Sequence, residues 1–135
     1  MIIVLDASAA IEIALNNARS EKYRSLLKES DLVIAPDTFP SEITNVFWKY
    51  AHFSKMPAEQ CDKGIAYCLD LIDDYIQTRA ICREVFAESI KKEHSSYDII
   101  YLIVARRHNA AILSRDRKMN KIAKELGIKI LDEEA

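Results

Sequence analysis

At 135 residues, half of them hydrophobic and only two of them glycine, the chain has room for one domain with a real core and none for two ordinary ones. That composition excludes a disordered or low-complexity segment. The formal net charge of -2 excludes a general basic footprint for nucleic acid, although an acidic metal cluster would itself bias the total that way.

The run Ile2 to Leu5 is apolar throughout, as a parallel strand covered on both faces requires. Helical periodicity follows from Ala9 to about Asn16 and again from Ser20 to Lys28. A short strand, Leu32 to Ile34, ends at Pro36. Thr38 to His52 then reads as a helix whose apolar positions Ile43, Val46, Phe47, Tyr50 and Ala51 mark a core face. Pro57 suits a first helical position, and Ile65, Leu69 and Ile72 form a stripe on a helix ending near Asp74, which predicts a protruding hairpin with the helix before it. A weak strand is expected at Tyr75 to Gln77 and a helix from Ala80 to Lys91. Ile99 to Ala105 is apolar all round, the mark of a deeply buried helix. The chain closes with strand Ala111 to Leu113, a helix from Arg117 to about Leu126 stopped by Gly127, and strand Ile128 to Leu131. This alternation predicts an α/β fold: a single domain over residues 1–135, with a parallel sheet of about five short strands covered by helices on both faces.

No run of about twenty apolar residues is present to span a membrane, and the start Met1-Ile2-Ile3-Val4-Leu5-Asp6 lacks the basic region of a signal peptide, so a cytoplasmic protein is expected. Cys61, Cys68 and Cys82 are odd in number and form no Cys-x-x-Cys pair. They suit a reducing compartment and read as buried small hydrophobes.

Asp6, Glu42, Asp98 and Asp116 each stand at or just after the point where a strand or loop gives way to a helix. Each has a bland explanation. Asp6 and Asp116 can cap the helices that follow, Ser95-Ser96-Tyr97-Asp98 spells a capping box, and Glu42 can complement a helix dipole. In an open α/β sheet, however, ligands bind outside the carboxyl ends of the strands, where such positions converge. Four converging carboxylates repel, each close pair by roughly 4 kcal/mol at about 4 Å and an effective dielectric of about 20, and a divalent cation removes that repulsion. Oxygen donors without His or Cys favour Mg²⁺ or Mn²⁺, and a cation so held can activate a bound water as a nucleophile.

Ser8, Asn45 and Ser114 carry neutral polar groups beside the acids and are candidates to orient them by hydrogen bonds. Arg115, Arg117 and Lys118 flank Asp116 and are candidates for substrate phosphates, with Arg106 and Arg107 less direct, although a charge run on a helix is commonly a solvated face. His52, His94 and His108 show no metal-ligand spacing and read as surface or loop residues. Phe47, Trp48 and Tyr50 read as core and interface residues rather than as platforms for bases.

Four segments in order, Asp6-Ala7-Ser8 after the first strand, Pro40-Ser41-Glu42-Ile43-Thr44-Asn45-Val46 with its Glu-x-x-Asn core, Tyr97 to Ala105, and Ile112-Leu113-Ser114-Arg115-Asp116, give the chain a pattern that resembles the PIN-domain nucleases, and more narrowly the single-domain toxins of VapBC toxin-antitoxin modules. Family members often have Thr where Ser114 stands and often a Gly shortly before the Tyr-Asp pair, where this chain has His94-Ser95-Ser96. The resemblance implies a metal-dependent endoribonuclease with Asp6, Glu42, Asp98 and Asp116 as catalytic metal ligands, Mg²⁺ or Mn²⁺ as cofactor, RNA as substrate, a small antitoxin as partner and a homodimeric assembly. Two other functions compete. A haloacid-dehalogenase-type phosphatase needs a second Asp two residues after the first, where this chain has Ser8, and a receiver-like Mg-binding signalling module needs an acceptor Asp at the end of a middle strand. Dinucleotide binding fails because Asp6-Ala7-Ser8-Ala9-Ala10 contains no glycine.

Overall fold

The structure, a computed structural model, describes all of residues 1–135. The first strand, β1 (Ile2–Leu5), buries Ile3, Val4 and Leu5 in succession. Since successive strand side chains point to opposite faces, both faces of the sheet are covered. β1 pairs in parallel with β2 (Leu32–Pro36) on one side and β4 (Ala111–Leu113) on the other, and β3 (Asp74–Ile76) adds to the outside of β2. The sheet order is β3-β2-β1-β4. Leu5 is in register with Leu113, so β1 and β4 end side by side.

Four strands form where about five were expected. The last shrinks to one parallel bridge between Ile112 and Ile130, because Asp132, two residues further on, is bound to Arg19 and Tyr23 and draws the chain away from the sheet edge. The weak strand near Tyr75 does form. The helix before it ends at Asp70 rather than Asp74, since Asp73 turns to β2, where its N–H donates to the Val33 carbonyl and its carboxylate accepts from the Val33 N–H.

Seven helices surround the sheet: α1 (Ala7–Ala14), α2 (Ser20–Glu29), α3 (Phe39–Phe53), α4 (Ala58–Asp70), α5 (Cys82–Lys92), α6 (Ser96–Arg107) and α7 (Arg117–Glu125). Every residue of α6 from Ile99 to Ala105 is buried, and the helix lies on β1, β2 and β4 with α5 and α7 beside it. The hairpin of α3 and α4 packs along its length and against α1. Gly64 permits this approach. A Cβ there would fall 2.4 Å from the ring of buried Phe47, well inside contact distance. Cys61 and Cys68 are buried as expected, but Cys82, in the first turn of α5, is exposed. Phe47 is core and Trp48 is more than half exposed.

Candidate active site

Because β1 and β4 are paired neighbours, the residues that follow them leave the sheet together. The Asp6 N–H donates to the Leu113 carbonyl over 3.2 Å, and the two side chains beyond, Asp6 and Ser114, meet. Asp6 Oδ2 accepts from the Ser114 hydroxyl at 2.5 Å, while Oδ1 accepts from the Ser8 hydroxyl at 2.8 Å and from the Ala9 N–H at 2.9 Å. Each serine also receives an amide of the loop after β4: Ser8 Oγ accepts from Arg115 N–H and Ser114 Oγ from Asp116 N–H, both at 2.9 Å. Ser8 and Ser114, chosen from the sequence as orienting groups, thus bind the two strand-end acids into one network. Asp116 Oδ1 accepts from the N–H groups of Lys118 and Met119 at 2.9 and 3.1 Å. Asp6 and Asp116 are therefore genuine helix caps, and capping leaves each carboxylate with further lone pairs.

Asp98 does not cap. The predicted capping box is absent: Ser95 Oγ accepts from the Tyr97 N–H at 3.2 Å, and the Asp98 carboxylate turns instead to His94, whose Nε2 lies 2.8 Å from Oδ2. His94 is a loop residue as expected, yet it is largely buried and in contact with a candidate ligand. The one sequence signal for this was its position four residues before Asp98 at a helix start. Glu42, in the first turn of α3, carries an Oε1 that is buried and has no hydrogen-bond partner. The Tyr101 hydroxyl is likewise buried and unpartnered, and its electrostatic neighbours are Glu42, Asp6 and Asp98.

The cationic candidates are mostly committed elsewhere. Arg115 donates to the buried carboxylate of Glu12 at 2.8 Å, and Arg117 to the Ala135 carbonyl at 2.9 Å. Arg106 and Arg107 pair with Glu84, and Arg106 also with Glu88. Lys118 is exposed and makes neither an ion pair nor a side-chain hydrogen bond, and Arg117, also exposed, engages only its Nε, so both can meet a phosphate, whereas Arg115 is tied to Glu12. Asn45 is exposed and forms no hydrogen bond with the acids; it lines a shallow hollow with Pro40, Ser41, Thr44 and Trp48.

Burial pushes the Asp6 carboxyl up to about 6, against hydrogen bonds from Ser114, Ala9 and Ser8, with repulsion from Asp116 adding to the rise. Glu42 is pushed up to about 7, chiefly by burial, against the nearby Tyr101 hydroxyl and with Asp6 and Asp98 adding repulsion. Burial, then the neighbouring carboxylates, raises Tyr101 as well. This is an excess of negative charge in a dry place. No three His, Cys, Asp or Glu side chains are drawn into a finished cage. A hard cation that keeps several waters needs no such cage, and the all-oxygen donors with the orphaned Glu42 Oε1 fit Mg²⁺ or Mn²⁺.

A pH dependence follows. Because the native state holds the Asp6 proton more tightly than the unfolded chain does, this group's contribution to stability is fully present below about pH 4 and is lost as pH rises through about 6, at most by about 3 kcal/mol. Glu42 acts in the same direction up to about 7. The melting temperature of the parent without added metal should therefore fall relative to Asp6→Asn as pH is raised from about 4 to about 8. A parent-minus-variant difference that stays flat over that range would contradict the upward shift of the Asp6 carboxyl.

Residues 3–125 match the family model described as PIN domain. No curated protein matches the sequence. Among solved structures, PAE2754 from Pyrobaculum aerophilum is similar over 94% of this chain and 90% of its own, with a TM-score of 0.72 and 17% identity. VapBC2 from Rickettsia felis, bound to a DNA fragment from its promoter, is similar over 97% of this chain and 98% of the matched chain, with a TM-score of 0.69 and 17% identity. At such identities the likeness is one of fold.

Proposed function

Because this chain belongs to the PIN-domain family, we propose that it is a nuclease and, more specifically, a metal-dependent endoribonuclease that hydrolyses RNA phosphodiester bonds as the toxin of a VapBC-type pair. The observation that carries the reading is the convergence of Asp6, Asp116, Glu42 and Asp98 at one end of the sheet, with a buried Glu42 oxygen that no protein group satisfies. These four residues would hold Mg²⁺ or Mn²⁺. When bound, the cation supplies a nucleophilic water near neutral pH and neutralises charge developing on the phosphate. The remaining work falls to the chain. Ser8 and Ser114 fix Asp6 and tie it to the loop bearing Asp116, His94 holds Asp98 away from its own helix cap, and Lys118 is free to meet a substrate phosphate.

The VapBC assignment and an antitoxin partner are supported by the resemblance in motif order and by the fold shared with VapBC2. Homodimerisation and a cytoplasmic location belong to the same reading. Trp48, Phe53, Phe86, Ile90 and Tyr97 are large exposed apolar side chains that a protein partner would cover. No helix is long and apolar enough to cross a membrane. Neither competing function gains an observation: Asp98 lies within α6, the order β3-β2-β1-β4 differs from the 2-1-3-4-5 sheet of receiver-like folds, and Ser8 donates to Asp6 where a phosphatase needs an acid.

The test is cleavage of a total-RNA pool by chelator-treated protein, with mapping of the new ends. Metal-free protein should be inactive, and Mg²⁺ or Mn²⁺ should restore cleavage at defined sites. Full cleavage without metal would overturn the proposal.

A further inference from the structure

We infer that Tyr101 is a positioning residue of the acidic site, its hydroxyl donating to Glu42 so that the carboxylate is fixed toward the cation. The inference rests on the metal-site reading above. Tyr101 is 1% exposed and lies in the buried stretch of α6 from Ile99 to Ala105, whose other side chains are all apolar. A phenylalanine would serve the core there equally well. The hydroxyl instead lies among Glu42, Asp6 and Asp98, near enough to Glu42 to oppose the rise in that carboxyl's pKa but short of full hydrogen-bond geometry, so that the phenol oxygen and Glu42 Oε1 are both left without a complete partner. A buried donor left unmade is costly, and so is a buried acceptor. Two such atoms of opposite need in one spot are the two halves of a hydrogen bond that closes when Glu42 turns to hold a cation.

The groups facing the hydroxyl are all acidic, Glu42 from α3, Asp6 from the end of β1 and Asp98 from its own helix. A donor is the one polar role open to a phenol so placed. Asp6 already receives three hydrogen bonds and Asp98 is bound to His94, which leaves Glu42 as the acceptor.

A positioning role and a structural role move Tyr101→Phe in opposite directions. If the hydroxyl acts on Glu42, the variant keeps or raises the melting temperature of the metal-free protein, because an unpartnered buried polar group has been removed. Its Mn²⁺ dissociation constant, read by calorimetry without RNA, should then rise about tenfold to a hundredfold, the range for groups that orient metal ligands. In a Glu42→Gln background the same substitution should weaken Mn²⁺ no further. Unchanged Mn²⁺ affinity in Tyr101→Phe would overturn the inference while leaving the metal site intact. So would a variant that fails to fold without metal, since the hydroxyl would then be supporting the fold. A parent protein that binds no Mn²⁺ would overturn both this inference and the reading it rests on.

Discussion

Asp6→Asn, Asp98→Asn and Asp116→Asn should each retain the fold and lose at least about a hundredfold in RNA cleavage, equivalent to about 2.7 kcal/mol of transition-state stabilisation. The two consequences separate because of what the side chains do in the fold. Asp6 caps α1 through the Ala9 N–H, and Asp116 caps α7 through Lys118 and Met119. Asn is about as good an N-cap as Asp, so the helices keep their starts. The Ser114 hydroxyl, which donates to Asp6, can turn to accept from the new amide. Asp98 caps nothing, so its replacement removes only the contact with His94. On the proposed metal-site reading, what all three lose is charge and a hard ligand, and Glu42→Gln should behave likewise. Metal-free stability should hold or rise, as repulsion within the cluster is relieved. Initial cleavage rates and metal-free melting curves, measured on the same preparations, check both halves. Variants that cleave at the parent rate would reduce Asp6 and Asp116 to helix caps and leave Asp98 with its contact to His94 alone.

Asp132→Ala should be the most destabilising single change outside the apolar core, by about 3–5 kcal/mol against a total of roughly 5–15 kcal/mol for a domain of this kind. The carboxylate is fully buried. Arg19 Nη1 donates to both of its oxygens at 2.6 Å, the Tyr23 hydroxyl donates to Oδ2, and the Glu134 N–H donates to Oδ1 at 3.1 Å. Burial alone would raise its pKa, but the hydrogen bonds from Tyr23 and Arg19 outweigh that and hold it below the usual carboxylate range. Its stabilisation is therefore present above about pH 4 and is lost as pH falls through its native value. Truncation strands a partly buried guanidinium and a buried phenol. Urea unfolding at neutral pH should show a much lower midpoint with an unchanged slope. A loss below about 1 kcal/mol would mean that the tail contributes little to holding the domain together.

These two sites differ in how far the sequence revealed them. The acids were legible because each is marked locally: β1 and β4 are short apolar runs with an acid at or just past the end, and α3 and α6 carry theirs in the first turn. Parallel pairing of β1 with β4 then follows from the fold class, and it brings together residues 108 positions apart. Asp132 carried no such mark. Its side-chain partners lie more than a hundred residues away on α2 and its cap, and a lone Asp near the end of the sequence looks solvated. The same holds for Glu12, buried in α1, which takes Arg115 away from any substrate. His94 and Tyr101 were hidden differently. A capping box and an apolar helix are the ordinary readings of their segments, and only the packing of α6 on the sheet brings Asp98 and Tyr101 near Asp6 and Glu42. The fifth strand failed because pairing at Ile130 competes with the buried Asp132 contacts, and no local pattern records that competition.

Whether these carboxylates hold a cation at all is the central question for this protein. Calorimetric titration of the metal-free protein with Mn²⁺ near neutral pH, beside a protein carrying Asp6→Asn, Asp98→Asn and Asp116→Asn together, measures this without reference to any RNA. Saturable binding by the parent that disappears in the folded triple variant is the expected result. An isotherm of equal affinity and stoichiometry in both proteins would place the metal elsewhere and contradict the proposed site.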